Sequence, residues 1–85
     1  MVTVLKYVSQ IRDIGQTQIG KHTGSSKQTV QKWFKGEKPI PSKYQEALEA
    51  LFGFKVDFLG MELTKERKTF VLEREIERIK HSNEE

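Results

Sequence analysis

Eighty-five residues with 15 Lys and Arg against 12 Asp and Glu give a formal net charge of +3 and a pI near 9.3. Hydrophobic residues are 35% and charged residues 32%, a globular balance that excludes a disordered chain, and no apolar run is long enough to span a bilayer. With no Cys there is no disulfide and no thiolate metal site. One small domain of this size buries only about 60% of its unfolded surface, so self-association is the remaining means of gaining stability. The opening MVTVLKYVSQ has no basic start, long apolar stretch or cleavage site, and a cytoplasmic protein is expected.

Charge is uneven along the chain. Residues 1–43 carry eight Lys and Arg against two acids, whereas residues 44–85 carry seven basic and ten acidic residues. A basic half joined to an acidic half suggests that one side faces a polyanion.

The first predicted helix runs from Thr3 to Ile14, with Thr3 as cap, Val4, Leu5, Val8, Ile11 and Ile14 at helical spacing, and Gly15 as stop. Gln16 to Thr23 is a second, short helix anchored by Ile19, broken at Gly24-Ser25. Ser26 caps a third, which ends near Lys35 with Gly36 behind it and has Val30, Trp33 and Phe34 on its apolar side. Pro39 and Pro41 bracket an extended loop. Ser42 and Gln45 have the spacing of a capping box for a fourth helix, lined by Tyr44, Ala47, Leu48 and Leu51 and closed by Gly53.

Beyond Gly53 the pattern reads two ways. Val56 to Leu59 fits a short fifth helix, and Thr64 to about His81 fits an amphipathic helix with a Leu72, Ile76 and Ile79 stripe. Phe54, Val56 and Phe58 alternate at period two, so residues 54–72 also fit a β-hairpin, although the Glu- and Arg-rich stretch after Leu72 prefers helix. Residues 82–85 are expected to fray. The stripe suits either a twofold mate or the first and fifth helices of its own chain. The expected organisation is an all-α head over residues 1–60 with a C-terminal extension over 61–85.

The informative segment is QTQIGKHTGSSKQTVQKWFK, Gln16 to Lys35. Two helices meeting steeply through a tight turn need a small residue where the backbones approach, and Gly20 supplies it. The turn needs tolerance of positive φ, which Gly24 has. The second helix needs inward apolar residues one turn apart, Val30 and Trp33. Its other face carries Lys27, Gln28, Gln31 and Lys32, and no acid occurs from Ile14 to Gly36. Trp33 is in phase with Val30, which makes it a core residue rather than a base-stacking one.

This segment resembles, without gaps, the helix-turn-helix of the lambda-repressor/Cro superfamily, the XRE type, with Gln16, Gly20, Gly24, Val30 and Trp33 on the family's key positions. Pro39-Ile40-Pro41-Ser42 stands at the family's proline loop, and Leu51 to Leu59 resembles its closing stretch. Gly20 replaces the commoner Ala, and Thr23 and Ser25 stand where larger apolar residues are usual. The resemblance covers residues 3–60 and is most like a small phage Cro-type repressor. It implies a lambda-repressor-like domain of four to five short helices that binds double-stranded DNA with its third helix in the major groove.

Lys27, Gln28 and Lys32 match the family's base-contacting positions, and Ser26 and Gln31 sit beside them. Gln28 suits adenine and the two lysines guanine. Gln16 matches a phosphate-clamping position. Lys35, Lys38, Ser42 and Lys43, around the proline loop, are further phosphate contacts, and Thr17 and Lys21 join them. His22 reads as a surface residue of the second helix, with phosphate contact as a lesser option. One such head reads few base pairs, so a homodimer on a palindromic operator is expected. Alternatives are an antitoxin or other interaction module with a DNA-binding head, and a phage CII-like activator. No phosphate-cradling glycine loop or paired His and carboxylate supports an enzyme. No cofactor, metal, membrane or small-molecule substrate is expected.

Overall fold

The computed structural model describes residues 1–83 and is all-α, with no strand among the described residues. Six helices follow in chain order: α1 Val4–Arg12, α2 Gln16–Thr23, α3 Lys27–Lys35, α4 Gln45–Phe52, α5 Val56–Leu59 and α6 Lys65–Asn83. Their inward faces converge on one core containing Val4, Leu5, Val8, Ile19, Val30, Trp33, Leu48, Phe52, Leu59 and Val71. Phe52 and Val71 belong to this core although neither stood out in the sequence pattern. No helix among the described residues is long and apolar enough to cross a membrane.

The first helix ends earlier than its apolar spacing predicts. Asp13, not Gly15, takes the left-handed conformation at φ 55°. The Ile14 N–H then donates to Ser9 O at 2.9 Å and the Asp13 N–H to Gln10 O, a Schellman closure that satisfies the last carbonyls. Ile14 therefore lies outside the helix, half-buried, and Ile11 is 37% exposed rather than in the core. Gly15 instead stands before α2, its carbonyl accepting from the Ile19 N–H.

Thr3 does not cap α1 with its side chain. Fully buried, it donates its hydroxyl to Trp33 O and Phe34 O at 2.9 and 3.1 Å, and its N–H to Phe34 O at 3.0 Å. The start of the chain thus serves the Phe34 carbonyl at the end of α3 twice over and adds a bond to Trp33 O, which the closing Gly36 N–H also reaches.

The capping box at Ser42 does not form. Ser42–Tyr44 is a 3-10 turn, and α4 begins only at Gln45. The Gln45 side chain is used elsewhere: its Oε1 accepts the Val56 N–H at the start of α5 at 3.0 Å, and its Nε2 donates to Glu49 at 2.7 Å. Gly53 closes α4 at φ 79° as expected.

Residues 54–72 form no hairpin. The only β-type pairing there is an isolated bridge between Thr3 and Glu62. Phe54, Val56 and Phe58 alternate in sequence yet pack as a turn and one short helix, with Phe54, Phe58 and Phe70 rings in mutual contact at 5.3–6.2 Å. α6 starts behind Thr64, whose hydroxyl accepts the Arg67 N–H at 3.2 Å. The helix includes Ser82 and Asn83, and residues 84–85, the rest of the stretch expected to fray, lie outside the described residues.

α6 lies alongside α1 in the same direction: Thr3 is bridged to Glu62, Tyr7 lies under Lys68, and Arg12 is paired with Glu75. The face it buries is Val71 and Glu75, not the Leu72, Ile76 and Ile79 stripe, which stays exposed. Folding of that stripe onto helices one and five of its own chain is therefore ruled out. A glutamate on the inner face hides the true contact from any apolar periodicity.

Glu75 is 5% exposed and, through Arg12, takes part in a node that joins three elements. Arg12 Nε donates to its Oε1 at 2.7 Å, and Arg78 Nη2 donates to its Oε2 at 3.1 Å. The same Arg12 reaches Phe52 O at 3.2 Å, at the C-terminus of α4. Burial alone pushes the Glu75 carboxyl up, but the bonds and charges of Arg12 and Arg78 outweigh it and hold it below the ordinary glutamate value. The pair accordingly stabilises the fold above the unfolded glutamate pKa, about 4.3, and the contribution is lost as pH falls through the lowered folded value. Arg12→Ala leaves Glu75 short of its closest partner and is expected to lower the unfolding free energy by about 3 kcal/mol at neutral pH. In urea titrations from pH 7 down to pH 3, Glu75→Gln is expected to flatten the loss of stability with acid; an unchanged slope would remove Glu75 from the account.

Candidate nucleic-acid interface

Gln16–Thr23 and Lys27–Lys35 are joined by three residues, Gly24 to Ser26. Gly24 takes φ 71°, where a side chain is strained, and the Ser25 N–H returns to Gly20 O at 3.0 Å. This folds the Ser25 carbonyl over α2. A Cβ on Gly20 would lie 2.6 Å from Ser25 O, which is backbone and has little room to move. The missing side chain at position 20 is thus what lets the two helices approach.

The hydroxyl at position 23 works locally, Thr23 Oγ1 donating to Ile19 O at 2.9 Å, whereas Ser25 stands beside the Tyr44 hydroxyl, nineteen residues on, and lowers its pKa. Ser26 caps α3 by accepting the Thr29 N–H at 3.2 Å, and its hydroxyl also pairs with that of Thr29 at 2.9 Å. The other end of α3 closes at Gly36, φ 72°, with the Glu37 N–H on Lys32 O and the Gly36 N–H on Trp33 O.

Between these closures α3 is divided lengthwise. Val30, Trp33 and Phe34 are buried, Trp33 only 1% exposed, in accord with a core role. Lys27, Gln28, Gln31, Lys32 and Lys35 are all exposed, and their spacing puts them on one side of the helix. Ser26 is exposed at the head of that strip.

Gln16, Thr17 and Lys21 from α2 line one open groove with Lys27 from α3, about 710 Å³ in volume. The structure therefore brings three of the expected phosphate contacts beside the first expected base reader. Gln18 and His22 line the same groove. Gln18 was not expected there, whereas His22 was expected on the surface of α2 with phosphate contact as a lesser role; their i, i+4 spacing puts both on one side of α2. Lys38, Ser42 and Lys43 are exposed in the loop and 3-10 turn beyond α3 and do not line this groove.

Tyr44 has a larger part than its position on an inner face predicts. Its ring lies 5.5 Å from that of Trp33, with Lys43 Nζ 5.2 Å above it. Ser25 beside its hydroxyl holds it below the ordinary tyrosine value, with burial opposing the shift and the Lys43 charge adding to it. Tyr44 thereby connects the turn before α3 to the proline loop after it. No group of three or more His, Cys, Asp and Glu among the described residues is placed to hold a metal ion.

No protein-family model, curated protein or solved structure matches the chain.

Helix propensity favours Ala over Gly at position 20 by about 1 kcal/mol. The close Ser25 carbonyl opposes it by more, since overpacking costs about 1–3 kcal/mol. Gly20→Ala is therefore expected to lower the thermal midpoint, and a raised midpoint would contradict the close approach.

Proposed function

We propose that this chain is a sequence-specific double-stranded-DNA-binding regulator, a Cro-like repressor of the lambda-repressor helix-turn-helix type, acting as a dimer on a palindromic operator. The observation that carries the reading is the lengthwise division of α3: a buried side of Val30, Trp33 and Phe34, and an exposed acid-free side of Lys27, Gln28, Gln31, Lys32 and Lys35. A rod about 10–12 Å across with long amide and amine side chains on one side suits the B-DNA major groove, about 12 Å wide.

In this reading Gln28 pairs with adenine N6 and N7, and Lys27 and Lys32 donate to guanine O6 and N7. Gln31 is a second amide reader, and Ser26 stands at the groove floor with its cap intact. Gln16, Thr17 and Lys21 hold phosphates near the start of α3, where they already share a groove with Lys27. Lys35, Lys38, Ser42 and Lys43 hold phosphates beyond its end. Clamps at both ends fix the register in which the central residues read. Residues 1–60 form the DNA-binding head and residues 61–85 the element that pairs two heads. Repression follows from occupying a promoter, which needs no second site.

Selection from a random duplex pool tests this reading. The wild-type chain is expected to enrich a palindrome with half-sites about 34 Å apart. Gln28→Ala is expected to cost about 1–3 kcal/mol at one base position and relax preference there. Lys38→Ala is expected to weaken all sequences alike and to reduce the salt slope by about one. Identical effects of the two changes on every sequence would contradict the division into readers and clamps.

A further inference from the structure

α6 turns Val71 and Glu75 inward and leaves Leu72, Ile76 and Ile79 at 43, 55 and 49% exposure. α1 extends this surface. Tyr7 lies beside Lys68 and Arg12 beside Glu75, so Ile11, one turn beyond Tyr7, stands level with Leu72, one turn beyond Lys68. Four half-exposed aliphatic side chains in one strip make a patch of roughly a few hundred Å², the size that marks an interaction surface.

The two flanks of the strip differ. Along one runs α1, with Lys68 Nζ over the Tyr7 ring at 5.4 Å and Glu75 bound by Arg12. Along the other, Glu73 and Lys80 are exposed, two helical turns apart, with Ile76 between them. This open flank carries opposite charges in an order that its own reversed copy complements.

We propose that the strip is a twofold interface between two copies of this chain, with α6 antiparallel to its mate. Glu73 of each copy then meets Lys80 of the other, and Ile76 lies near the twofold axis between Leu72 and Ile79. An isologous contact requires this self-complementarity, and a foreign helix would not. The parallel arrangement is disfavoured by the other flank. It sets Glu73 and Lys80 of one copy against the edge that α1 occupies, and the Glu75 that Lys80 would seek is already held by Arg12 and Arg78. The inference deepens the proposed function, which rests on paired heads, by supplying the pairing surface. Association itself needs no DNA, so its failure and the failure of DNA binding are separate results.

Sedimentation equilibrium of the full chain without DNA is the test. The wild type is expected at twice its 9.9 kDa mass, and Ile76→Glu at the monomer mass with its helical circular dichroism retained. Glu73→Lys and Lys80→Glu are each expected to raise the dimer dissociation constant about tenfold. The double reversal is expected to restore the wild-type value, because each altered residue meets the other across the axis. A wild-type monomer at about 100 µM, weaker than specific interfaces of standard size, would overturn the proposal. So would a dimer indifferent to Ile76→Glu, or a double reversal no better than the single ones.

Discussion

The exposed strip of α3 depends on what stands behind it. Trp33, with Val30 and Phe34, fills the core so completely that the helix cannot rotate about its own axis without opening a cavity or burying a lysine. Tyr44 packs on the indole from the loop side, and Thr3 gives both its hydroxyl and its N–H to the carbonyls at the end of the helix. The rotational setting of α3 therefore comes from packing at its back and from hydrogen bonds at its ends. Lys27, Gln28, Gln31 and Lys32 need no partner within the chain to stay in one row.

A second node extends the same frame to the other side of the molecule. Arg12 joins the end of α1 to the end of α4 and to Glu75 of α6. A hydrophobic pair there would pack as well, but the ion pair also fixes how α6 turns about its axis, because only one face carries Glu75. That choice of face leaves Leu72, Ile76 and Ile79 outward. Stability within the chain and the outward placing of the aliphatic strip proposed to pair two copies thus follow from one buried carboxylate.

Much of this was legible in the sequence. Glycines at 24, 36 and 53 mark three helix ends because left-handed backbone favours them, and the Ser26 cap and the apolar side of α3 follow directly from spacing. Four features were not legible, each for a physical reason. Asp13 ends α1 although aspartate adopts that backbone far less readily than glycine, so Gly15 drew the prediction instead. Thr3 and Gln45 have ordinary capping chemistry, but tertiary partners thirty and eleven residues away claim their side chains. The inner face of α6 is centred on a charged residue, so the apolar stripe pointed to the wrong side. Of the candidate interface, the lysines and glutamines of α3 were evident from the missing acids, whereas the places of Gln18 and Tyr44 emerge only once α2 and the proline loop are set against α3.

The most direct measurement is the affinity of the wild-type chain for a fluorescently labelled duplex as ionic strength is raised. Roughly six neutralised phosphates predict tight binding at 50 mM salt and a loss on the order of a thousandfold by 200 mM. Binding absent at 50 mM, or present with no dependence on salt, would contradict a row of lysines and amides seated in a DNA groove.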